Sequence, residues 1–293
     1  MASAFAEAGL PKNVIQYVHC GSLSLLELLV RSPLVNHVCF TGSVAGGLVV
    51  QKAAADRVVN VGLELGGKDP AYVRDDVDVA WAAEEVVDGA VFNSGQSCCA
   101  IERVYVHKNI YDAFIAEVKK VLSKYLVGDP LDGKTQVGPV ISKRAKEKIL
   151  AHIADAEKAG AKDETPANET FQDFLADGNY VKPTLLTGVT HDMRIMTEET
   201  FGPVIPVMKV GSDDEAVKLM NDSEFGLTAS VWTRDTAGAQ DLVERIEAGT
   251  VFMNRSDYPS WVSTSLSACE RLILTQSRIS LGQAGRTRDA ASR

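Results

Sequence analysis

The chain has 293 residues, 45% hydrophobic and 24% charged, a balance that suits a soluble globular protein of one large domain or two ordinary ones. A formal net charge of −9 argues against nucleic acid or an anionic membrane as the main partner, because both are themselves negative. The five cysteines lack CxxC spacing and the first residues lack a signal-peptide pattern, so a reducing cytoplasmic setting without structural zinc is expected.

Strand-like and helix-like segments alternate through most of the chain. Residues 14–19 read as a strand, 24–31 as a helix closed by Pro33, and 37–42 as a second strand. A helix is expected over about 45–56. Residues 58–65 are nearly continuous in apolar side chains, which suits a strand buried on both faces of a parallel sheet. Asp75, Asp76 and Asp78 precede a helix over 79–92, where a carboxylate can cap the first turn. Ile110, Phe114, Val118 and Leu122 form one apolar helical stripe. A charged amphipathic helix is expected over 142–159, stopped by Gly160, and residues 161–178 read as a polar surface loop. Further alternation runs to Asn254 and argues for an α/β architecture. Residues 255–293 hold six arginines, three acids, no lysine and no sustained period, and read as a poorly ordered tail.

Several short runs carry chemistry. Leu63-Glu64-Leu65-Gly66-Gly67-Lys68 places a carboxylate at the end of an apolar run, just before paired glycines. Taken alone, Glu64 is either a strand-end surface residue or a functional base. Phe92-Asn93-Ser94-Gly95-Gln96-Ser97-Cys98-Cys99 sets a thiol on a small-residue turn after a helix. A cysteine in isolation is more often a small hydrophobe than a nucleophile. Phe40-Thr41-Gly42-Ser43-Val44-Ala45-Gly46-Gly47 is a strand-to-helix turn that can offer backbone N–H groups to a diphosphate, although it lacks GxGxxG. Glu198-Glu199-Thr200-Phe201-Gly202-Pro203 reads as an acidic loop before a Gly-Pro break. The five histidines form no metal spacing, and a Cys–His hydrolase would leave the other runs unexplained.

Together, and in this order, these runs resemble the NAD(P)-dependent aldehyde dehydrogenase superfamily from about Ala8 to Asn254. The resemblance implies an aldehyde-dehydrogenase-like α/β fold, with a partial Rossmann-type cofactor domain over 1–66 and a catalytic domain over 67–254. It implies that Cys98, two places after Gln96, is the nucleophile, that Arg103 belongs to the same pattern, and that Glu64 activates water against the thioester. Retention of that base favours the hydrolytic branch over the CoA-acylating one. Gly42, Ser43, Gly47 and Leu65 would bind NAD or NADP, Glu199 the nicotinamide ribose, and Phe201 would lie beside the nicotinamide ring. Asn254 matches a mainly structural asparagine. The implied partners are a small aldehyde and, as usual in the family, further copies of the chain.

Both ends depart from the family pattern. The resemblance starts after the first cofactor-domain strands, without the oxyanion-hole Asn and the Lys that binds adenosine ribose. After Asn254 the pairing segments are not recognisable. A truncated or frame-shifted product is therefore expected, with an inactive fragment acting as a binding module as the alternative.

Overall fold

The computed structural model describes residues 2–173 and 178–256. Most of the segment expected to be a poorly ordered tail, residues 257–293, lies outside the described residues. The chain divides into two compact units, Met1–Leu65 and a second that starts at Gly66.

The first unit contains α1 (Ala2–Glu7), α2 (Leu23–Arg31), β1 (His37–Thr41), α3 (Val44–Ala54) and β2 (Asn60–Glu64). β1 and β2 are parallel, with His37 opposite Asn60 and Thr41 opposite Glu64. The period-2 alternation of side chains puts Val38, Phe40, Val61 and Leu63 against Val30, Val50, Ala53 and Ala54 of the two longer helices. The opposite faces of both strands are exposed. This corrects the expectation for 58–65: the strand is apolar yet half-covered, because α2 and α3 pack on one side of its sheet. Residues 14–19 are not a strand, either. Val14, Tyr17 and Val18 are exposed, and β-rich residues without a neighbouring edge have no ladder to join.

The second unit contains β3 (Asp69–Val73), α4 (Val79–Val91), β4 (Ile101–His107), α5 (Tyr111–Leu122), α6 (Lys143–Lys158), β5 (Lys162–Asp163), α7 (Thr170–Asp173), β6 (Thr184–Thr187), α8 (Arg194–Thr197), β7 (Val204–Val210), α9 (Asp213–Asn221), β8 (Thr228–Trp232), α10 (Gln240–Glu244) and β9 (Thr250–Met253). These strands form a seven-stranded sheet in the order β5-β6-β7-β4-β3-β8-β9, parallel except for the β5/β6 pair. Both faces are covered, as a parallel sheet with helical crossovers requires. Val104 and Val106 of β4 join Val86, Val87, Phe114 and Val118 in one layer. Tyr105 joins Ile149, Ile195, Met220 and Leu242 in the other. Each fully buried valine or phenylalanine contributes about 1.5–3 kcal/mol, which makes these layers the main stabilising term.

Local signals behave as their chemistry dictates. Asp78 caps α4 by accepting the Trp81 N–H at 3.2 Å, and Ser142 caps α6 by accepting the Ala145 N–H at 3.2 Å. Gly160 ends α6 at a φ of 108°. The stripe of α5 buries Phe114, Val118 and Leu122. Residues 161–178 are not simply loop: β5 pairs with β6, and Phe171 is buried against Val127 and Val137. Two-residue pairing and a single aromatic anchor leave too little periodicity to read in a polar stretch.

Candidate active site

α4 ends in a turn that brings three successive residues into left-handed backbone: Asn93 (φ 51°), Ser94 (φ 58°) and Gly95 (φ 71°). Such conformations cost of order 1–3 kcal/mol for residues other than glycine and persist where surrounding bonds over-determine them. Here the Ser94 hydroxyl donates to the Gly138 carbonyl at 2.8 Å, and Asn93 Nδ2 donates to the Gln96 carbonyl at 3.0 Å. Gln96 Oε1 accepts the Ile141 N–H at 2.7 Å. A Cβ at Gly95 would fall 2.2 Å from the Gly202 carbonyl oxygen, so only glycine lets this turn meet the segment before β7. Cys98 emerges from the turn half-buried, with Cys99 beside it, also half-buried.

The glycine pair ahead of β3 lies against this turn. A Cβ on Gly67 would come within 2.0 Å of the Cys98 carbonyl oxygen. The Gly67 N–H donates to Glu199 Oε1 at 3.1 Å. One glycine thus touches both the cysteine turn and the acidic loop, the latter through a carboxylate 132 positions further along the chain. Burial raises the pKa of Glu199, reinforced by the nearby Glu102 charge and opposed by the Gly67 hydrogen bond.

Behind these groups lies a buried polar cluster. Lys68 Nζ donates to Glu102 Oε2 at 2.6 Å and to the Thr200 hydroxyl at 3.1 Å. Glu102 also accepts the N–H groups of Thr200 (2.7 Å) and Phe201 (2.8 Å). Burial pulls the Lys68 pKa down, while Glu102 opposes that shift. His152 of α6 reaches the Thr200 hydroxyl through Nδ1 at 3.3 Å and lies near Arg194 and Glu198 on its other side. Burial and the surrounding cations, Lys68 first, lower its pKa to about 4. Arg103, buried, donates to the carbonyls of Lys68, Leu219 and Met220 and so ties the entry of β3 to the end of α9.

In the first unit, Ser43 caps α3 by accepting the Gly46 N–H at 3.1 Å, and the Gly42 N–H donates to the Glu64 carbonyl at 3.0 Å. Gly47 lies against the Leu65 side chain. The Glu64 side chain is exposed at the end of β2. Asn254, left-handed at φ 56°, accepts the Thr233 N–H through its side chain at 2.8 Å.

The residues singled out in the sequence therefore fall into two groups. Cys98, Glu199 and Phe201 are linked within the second unit. Gly42, Ser43, Gly47, Glu64 and Leu65 are neighbours along β1, α3 and β2 of the first. Sequence reasoning missed Glu102 and the role of Lys68. An acid followed by an arginine at the start of the otherwise apolar run Ile101-Glu102-Arg103-Val104-Tyr105-Val106 is the signal that marks them, since buried charges need partners.

The mostly parallel seven-stranded sheet, covered by helices on both faces, sets the class: an α/β protein. The aldehyde dehydrogenase family profile matches residues 1–265, and the chain belongs to that family. It is 39% identical over 254 residues to a betaine aldehyde dehydrogenase of Sinorhizobium fredii, covering 87% of this chain and 52% of the relative. It is 38% identical over 255 residues to human retinaldehyde dehydrogenase 3, covering 87% and 49%. Among solved structures, an NAD-dependent aldehyde dehydrogenase from Sinorhizobium meliloti superposes with a TM-score of 0.83 at 36% identity, over 88% of this chain and 51% of that one. The chain spans about half the length of the curated relatives it matches. No helix among the described residues is long and apolar enough to cross a membrane.

Proposed function

We propose that the protein oxidises an aldehyde to a carboxylic acid with NAD or NADP, Cys98 acting as nucleophile and Glu64 as the base for hydrolysis. The observation that carries this reading is the double contact of Gly67, with the Cys98 carbonyl on one side and the Glu199 carboxylate on the other. That contact supports the reading because one glycine meets the residue proposed as nucleophile and the acid proposed to bind the ribose. The cysteine thiolate adds to the aldehyde carbon, and its backbone N–H helps hold the resulting oxyanion. A bound NAD(P)+ would supply the acceptor for the hydride whose loss turns the adduct into the thioester. Glu64 then takes a proton from water as the water oxygen attacks the thioester, releasing the acid and regenerating Cys98.

The residues present fit a dinucleotide. A serine-capped helix start at Ser43, with Gly42 and Gly47 beside it and Leu65 packed on Gly47, suits a diphosphate and its flanking groups. A half-buried Glu199 carboxylate suits hydroxyl donors, and Phe201 supplies an apolar face to a planar ring. The net acidic charge favours small molecules over nucleic acid or an anionic membrane as partners. Its family favours association between copies.

The test is NADH or NADPH formation from aldehydes suggested by the relatives: betaine aldehyde, succinate semialdehyde and retinaldehyde. Activity is expected with at least one, and Cys98→Ala should abolish it. Steady turnover surviving that substitution overturns the mechanism. Cys98 labelling no faster than Cys99, with no response to NAD(P)+ and no turnover, would mark a binding module instead.

A further inference from the structure

Glu102 occupies an irregular place in the sheet. Asp69 of β3 is opposite Ile101 of β4, yet the next residue, Pro70, is opposite Arg103. The register shift leaves Glu102 as the extra residue of the longer side, and such irregularities re-aim a side chain out of the normal alternation. Its carboxylate is directed to the backbone of the 199–203 loop, where Oε2 takes the Thr200 N–H and Oε1 the Phe201 N–H. Phe201 itself is left-handed, with φ at 57°. For a bulky aromatic residue this is a strained conformation, held only when its neighbours insist on it. The carboxylate that bonds both N–H groups is that restraint, and the buried Lys68 ammonium fixes the carboxylate in turn.

We propose that Glu102, anchored by Lys68, is a positioning residue that holds Glu199 and Phe201 in their cofactor-contacting geometry. Buried at 3% exposure, it acts through the backbone of Thr200 and Phe201. The proposal rests on the dehydrogenase reading for its functional consequence, but the restraint itself is independent of that reading. In a parallel sheet a register shift at the start of a strand would otherwise be a defect in the ladder. Here it delivers one carboxylate to two consecutive backbone donors on another segment.

The experiment compares the full chain with Glu102→Gln and Glu102→Asp. An amide oxygen accepts less strongly than a carboxylate, and the shorter aspartate keeps its charge for Lys68 while falling short of the loop. Amide hydrogen exchange of residues 198–203 should quicken roughly tenfold or more in both variants, the loss expected when a charged acceptor leaves backbone donors. Exchange in β7 and α5 should stay as in the parent. In turnover assays the KM for NAD(P)+ should rise roughly tenfold while the aldehyde KM and the rate of Cys98 alkylation stay within about twofold, since the lost carboxylate bonds the cofactor loop and not the thiol. Unchanged exchange at 198–203, or an equal increase throughout the chain, overturns the proposal. So does a parallel rise in aldehyde and cofactor KM. If the parent chain forms no NAD(P)H yet the loop exchange responds, the dehydrogenase reading falls and the restraint by Glu102 stands.

Discussion

Gly67 and Cys98 are in backbone contact: a Cβ on the glycine would lie 2.0 Å from the cysteine's carbonyl oxygen. No side-chain rotation relieves a clash with a carbonyl, so Gly67→Ala must push the cysteine turn or the start of β3 aside. Overpacking of this kind costs about 1–3 kcal/mol. Denaturant unfolding should show that loss, and aldehyde oxidation should fall further than stability does, because the same shift also breaks the bond from Gly67 to Glu199.

The Lys68–Glu102 pair predicts an asymmetric response. Lys68→Met removes one buried charge and strands the other, a change that costs about 3–5 kcal/mol. Combining it with Glu102→Gln removes both charges, and the double variant should be less destabilised than the sum of the single ones. Additive losses in urea unfolding would mean that the two groups do not act as a pair.

His152 predicts acid sensitivity. Its folded pKa, about 4, lies below the ordinary histidine value of 6.5, so the unfolded chain takes up a proton first as pH falls. The stability it contributes is present above pH 6.5 and is lost between there and about pH 4, by up to roughly 1–3 kcal/mol. The slope should flatten in His152→Gln, measured as unfolding free energy against pH.

Asp69 predicts the opposite sign. It is buried, and burial raises its pKa well above the usual carboxylate range despite hydrogen bonds from Thr228. A raised folded pKa means stability that is present at low pH and declines as pH climbs through that value. Asp69→Asn should therefore be less stable relative to the parent at low pH than at high pH.

Much of the fold is legible from local chemistry. Asp78, Ser142 and Gly160 mark helix ends because each satisfies or terminates backbone groups in its own neighbourhood. What local chemistry does not carry is coverage. The apolar run ending in Leu63 and Glu64 looks the same whether one face or two are buried, and the Val14 to Val18 stretch looks like a strand until it lacks a partner. The candidate site divides in the same way. Cys98 and Glu199 are visible as motif positions, while for Glu102 the sequence marks only a charge in an apolar run, and its role needs the register shift and a partner 98 positions away.

The decisive measurement is rapid-mixing kinetics of NAD(P)H formation with an aldehyde that the parent chain oxidises. If Cys98 carries the acyl group and Glu64 its hydrolysis, Glu64→Gln should retain a single-turnover burst and lose steady turnover by roughly 100-fold or more, the scale of a missing general base. Cys98→Ala should show neither burst nor turnover. A burst in Cys98→Ala, or unchanged steady turnover in Glu64→Gln, would contradict the assignment of nucleophile and base.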